Sequence, residues 1–134
     1  MIAYIYETKN GGGYGKIVGE IFVNKFVEIS PLNLFNRKKD ITEEYLKKAC
    51  LTKGNFLEYA DGKTCYGWGI SNVTRYQKPI DCDNPPQSWK YYDKSNNVII
   101  SISPKWVEKI FNGKKIIEVR KSYPKKFKNL LKYE

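Results

Sequence analysis

Lys115, Glu118 and Arg120 fall within one short stretch of the chain. In an extended segment Glu118 and Arg120, two residues apart, project to the same side. A carboxylate between two cations can accept a hydrogen bond from the exocyclic amine of a base, while an ammonium and a guanidinium can meet phosphate or a carbonyl edge. The same Lys115 and Glu118 could act as an acid–base pair. The plainer role is an ion pair between Glu118 and Arg120 that orients a strand. Lys114 and Lys121 flank the trio, and Lys16 adds charge beside a glycine-rich turn. Trp68, Tyr76 and Trp89 offer stacking surfaces for an unpaired base or, equally, core packing. Trp106 is placed in the core, on a helix face.

Composition removes other chemistry. The chain has no histidine, which excludes Ser-His and Cys-His nucleophile pairs and most zinc sites. Its three cysteines, Cys50, Cys65 and Cys82, form no CxxC pair. Their odd number and wide spacing point to reduced thiols in a cytoplasmic protein, with no metal and no cofactor. The formal charge is +10, and residues 105–134 carry ten basic side chains against three glutamates. Such an excess is the electrostatic footprint of a polyanion binder, although a lysine-rich solvated surface looks similar at this level. With 41% hydrophobic and 15% aromatic residues, the chain is expected to fold rather than stay disordered. No apolar run reaches the roughly 20 residues of a membrane span, and no secretory leader is expected.

The elements that must position these residues follow from pattern and caps. Strands are predicted over residues 2–6, over 16–23 with an extension or restart at 26–29, and over 66–76. Further strands are predicted over 89–92, 98–102 and 115–120. Gly11 to Gly13 break the first strand from the second, and Gly19 marks a bulge or a close backbone approach. Thr42 is the expected N-cap of one helix and Thr52 of a second, which Asp61-Gly62 ends. Ser103 and Pro104 open a third helix with Trp106, Val107, Ile110 and Phe111 on one stripe, closed by Gly113. Ser95 to Asn97 turn the chain between two strands of a hairpin. Residues 125–131 read as a short basic helix. The sum is one α+β domain over 1–134, a small open β-barrel of about six strands with two or three helices.

Residues 100–120, ISISPKWVEKIFNGKKIIEVR, resemble the signature of ASCH domains in the PUA-like superfamily. The family pattern GxKxxExR is matched by Gly113, Lys115, Glu118 and Arg120. YIYETKNGGGYGKIVGE, YGWGISNV and PPQSW are similar to segments of short phage and prophage members. In those relatives the strand-helix-strand comes first; here, at about residues 98–120, it comes last. The resemblance therefore implies a circular permutation, joined at the turn between Tyr92 and Val98, or a segment swapped between two chains.

The resemblance implies a PUA-like cleft around Lys115, Glu118 and Arg120. It also implies a nucleic-acid-binding module for RNA or a single-stranded or modified base. The site expected is Lys16, Trp68, Tyr76, Lys114, Lys115, Glu118, Arg120 and Lys121. Some relatives are amidohydrolases with a threonine nucleophile, but Glu118 stands at that position, and Gly69 replaces a histidine that often follows the middle tryptophan. A nucleoside amidohydrolase using Lys115 and Glu118 is the alternative, and a phage protein that inhibits a host defence complex is another. No membrane partner is expected, and the chain is expected to be a monomer or a swapped dimer.

Overall fold

The computed structural model describes residues 1–92, 94–127 and 130–131. Its elements are β1 (Ile2–Glu7), β2 (Lys16–Ile29), a 3-10 turn (Pro31–Phe35), α1 (Lys39–Lys48), α2 (Lys53–Ala60), β3 (Cys65–Ile80), β4 (Trp89–Tyr91), β5 (Val98–Ile102), α3 (Pro104–Phe111), β6 (Ile117–Arg120) and β7 (Leu130–Leu131). The fold is α+β. The strands hydrogen-bond in the order β4-β5-β1-β2-β3-β6, with β7 added to β2. Residues 1–23 with 70–114 form one compact unit, and residues 24–69 with 115–134 form another. The long strands β2 and β3 each contribute residues to both. Among the described residues no helix is long and apolar enough to cross a membrane.

In the first unit β1 pairs antiparallel with β2 and parallel with β5. The β1–β2 register shifts between Ile5, opposite Gly19, and Tyr6, opposite Ile17. Val18 is thus the extra residue of a bulge, and Ile17, Val18 and Gly19 are all buried in succession. Gly19 is also a close approach: a Cβ there would run into the Thr74 carbonyl oxygen and the Phe111 ring. Both readings of Gly19 therefore hold. β4 and β5 form the expected antiparallel hairpin. All five residues of β5 are buried, because it lies between β4 and β1 with both faces covered. α3 begins at Ser103 and Pro104 as expected, although the Ser103 hydroxyl makes no cap bond. Val107 and Ile110 point into the core, and Gly113 follows at φ +81.

In the second unit the core is built from Val27, Ile29, Leu46, Ala49, Phe56, Cys65, Ile117 and their neighbours. Thr52 caps α2 as expected, its hydroxyl accepting from the Asn55 N–H at 3.1 Å. The first helix corrects the sequence reading. α1 starts at Lys39, and Thr42 is a buried residue inside it rather than its cap. The preceding 3-10 turn, opened by Ser30 and Pro31, brings the chain into helical geometry earlier than the polar pattern indicated. The basic tail is corrected too. Residues 124–127 make a turn, and Leu130–Leu131 pair with Phe26 and Val27 as a strand. The two residues between, 128 and 129, lie outside the described ones.

Candidate functional site

Lys115, Glu118 and Arg120 do come together: Lys115 and Glu118 are buried and Arg120 is half-buried. The turn after Gly113 delivers Lys115 to the start of β6. There its Nζ donates to the carbonyl oxygen of Ala49 at 2.6 Å, and the Ile116 N–H donates to the Lys48 carbonyl. Ala49 is the C-cap of α1, so a cation meets the negative end of that helix. Lys115 Nζ also lies 3.3 Å from Glu118 Oε1. Arg120 donates from Nε to Glu118 Oε2 at 2.9 Å, and its Nη2 is 2.8 Å from the same oxygen. Both carboxylate oxygens are thus engaged. Side-chain exposure is 2% for Lys115, 8% for Glu118 and 12% for Arg120.

Burial opposes ionisation of Glu118, but Arg120 and Lys115 outweigh it and hold the carboxyl below the ordinary carboxylate range. The cluster is one anion held by two cations. Its exposed margin is Arg120 with Tyr59 and Lys121. Burial raises the Tyr59 hydroxyl, against the pull of Arg120, and the Lys121 ammonium sits 5.1 Å from the centre of the Tyr59 ring. Cys65 beside this margin is fully buried and its thiol is pushed up to about 11, so it is a poor nucleophile.

The other expected residues have separate settings. Trp68, opposite Glu118 on β3, has 0% exposure. Its indole N–H donates to the Ser122 carbonyl at 3.2 Å and its ring packs edge-on against Phe26. It presents no face to a base, and the stacking role expected for it is corrected to core packing. Large flat rings fill a core as readily as they stack on ligands, and sequence does not separate the two. Lys16, Tyr76 and Lys114 belong to the first unit. Lys16 is half-exposed and pairs with Asp81 at 3.3 Å. Tyr76 donates from its hydroxyl to Glu20 Oε1 at 2.6 Å, and burial, then this bond, raise its pKa. Lys114 is exposed, its backbone N–H bonded to the Asn112 side chain.

The chain also carries residues that the sequence reading did not select. Trp106, assigned to the core, is only half-buried, with the Lys105 and Lys109 ammonium groups 4.8 and 5.4 Å from the centre of its ring. Arg75 lies over the Phe111 ring at 4.4 Å and pairs with Glu108. A clue was present for Lys109, which lies at i+3 of Trp106 on a helix, where side chains meet; Lys105, at i−1, had no such signal. Comparison with protein-family models, curated proteins and solved structures gave no match.

Proposed function

We propose that this protein binds nucleic acid, with RNA or another single strand as the favoured form, through surface cations seated on aromatic rings. The observation that carries this reading is the recurrence of that pairing: Lys105 and Lys109 on Trp106, Arg75 on Phe111, and Lys121 on Tyr59. Cations track phosphates and rings stack on unpaired bases, which is how single strands are held without duplex geometry. The net charge of +10, concentrated in residues 105–134, adds long-range attraction. In this reading Lys115 and Glu118 position β6 against α1, and Arg120 and Lys121 are the members of the motif nearest a ligand. An acid–base role for Lys115 and Glu118 has less support, because Lys115 already holds a helix carbonyl and Arg120 already holds the carboxylate. A PUA-like, permuted barrel is the finer fold we propose. The β4–β5 hairpin supports it, since a permuted chain needs its old last and first strands to be neighbours.

The test is a titration of labelled single-stranded RNA, single-stranded DNA and duplex DNA across salt, for the natural chain and for Lys105→Ala/Lys109→Ala/Lys121→Ala. The expected result is tighter binding of single strands, with log affinity linear in log salt. Each lysine lost should reduce the slope by about 0.7 if it contacts a phosphate. Equal affinity and slope for the variant would sink the reading, as would the absence of polymer binding at low salt.

A further inference from the structure

A surface cleft of about 360 Å³ lies in the first unit, between the end of β3, the connector 81–84 and the β4–β5 hairpin. Its floor is apolar, made by buried Ile17 and Ile99. Ile80, Cys82, Tyr91 and Tyr92 line its sides, and Asp81, Asp83 and Lys90 give it polar groups. Several contacts brace its walls. Cys82 packs on the cluster of Tyr6, Ile17 and Ile99. Lys90 Nζ donates to the Asn84 carbonyl. Ser101, in the buried strand β5, donates from its hydroxyl to the Pro86 carbonyl at 2.6 Å and from its N–H to the Ser88 carbonyl at 2.9 Å. Tyr92 is 44% exposed and its ring leans on Tyr4 at 5.1 Å. These bonds tie the connector to β4 and β5, and a site held by its own protein contacts lowers the entropy cost of binding.

The lining selects a class of ligand. Its volume lies at the small end of ordinary ligand sites, about 300–1,000 Å³. An apolar floor beside an exposed tyrosine suits a flat ring. Asp81 is already neutralised by Lys16, and Lys90 balances Asp83 in formal charge, so a permanent cation gains little here. A neutral ring that donates hydrogen bonds to a carboxylate, and carries an anionic group toward a lysine, matches every part of the lining. We infer that this cleft binds a single nucleotide whose base bears an exocyclic amine. The inference concerns a different site from the cation–aromatic pairs, and it holds or fails whether or not a polymer binds.

The experiment follows amide NMR shifts of the isotope-labelled full chain with the monophosphates of adenosine, cytidine and uridine, and with tetramethylammonium chloride as a cation probe. Saturable shifts should map to residues 80–92 with Ile17 and Ile99, and the adenosine and cytidine nucleotides should bind more tightly than the uridine one. Tyr92→Ala should weaken all three by about tenfold, the scale of one lost base–aromatic stack. Asp83→Ala, which removes the acceptor, should bring the amine-bearing bases to the level of uridine, a loss of about tenfold. Both residues are at the surface, and unchanged shifts elsewhere will report intact folds. Equal binding of the uridine nucleotide, a larger effect of tetramethylammonium, or no shift at millimolar nucleotide would each overturn the inference.

Discussion

The same residue types serve opposite ends in two parts of this molecule. At β6, Lys115, Glu118 and Arg120 are withdrawn from water and bonded to one another and to the end of α1. On α3, Lys105 and Lys109 lie over a half-buried tryptophan with Glu108 between them in sequence, and the only ion pair of that glutamate among the described residues is with exposed Arg75. The difference is desolvation. A buried charge is costly unless every partner is in place, so it specifies one arrangement of the backbone. An exposed lysine costs little and keeps its charge available to a phosphate. The motif that looked most chemical is therefore the one most committed to the fold.

The largest expected effect breaks the buried side of this comparison. Glu118→Ala would strand buried Lys115 and half-buried Arg120, and should cost about 3–5 kcal/mol in a denaturant titration. A cost below about 1 kcal/mol would mean the cluster is solvated and that side of the contrast is wrong. Acid should act through the same group. Its folded pKa lies below its unfolded value near 4.5, so its stabilisation is complete above that value and disappears as pH falls through the folded pKa. Comparing stability from pH 3 to pH 7 in the natural chain and in Glu118→Gln should show a shallower acid loss in the variant. Parallel curves would assign acid sensitivity to other carboxylates.

Thr52→Ala offers a calibration of intermediate size. It removes the cap bond to Asn55 and should cost about 1 kcal/mol. The smallest effect sharpens the exposed side. Lys105→Ala/Lys109→Ala should change stability by less than about 0.5 kcal/mol while reducing the salt dependence of nucleic-acid binding. A large loss of stability would place these lysines with the buried cluster instead.

Much of the local structure was legible in the residues. Thr52 capped its helix, Ser103 and Pro104 opened α3, the turn at Ser95 to Asn97 closed its hairpin, and Gly19 marked both a bulge and a close approach. These are decided by side chains acting within a few residues, or by the absence of one. Thr42 misled because a cap is defined by where the backbone enters the helix, and the 3-10 turn before it moved that point. The tail misled because pairing with β2 outweighed weak helical propensity. The proximity of Lys115, Glu118 and Arg120 followed from their spacing, but their burial did not. Only the tertiary structure set β1 beside β5 and brought the Ala49 carbonyl to Lys115, sixty-six positions away in the chain. Whether a charged or aromatic side chain faces water depends on which distant segment covers it. The sequence therefore determined the turns, caps and total charge, while packing decided that Trp68 and Glu118 lie inside and that Trp106 is left half outside with its lysines.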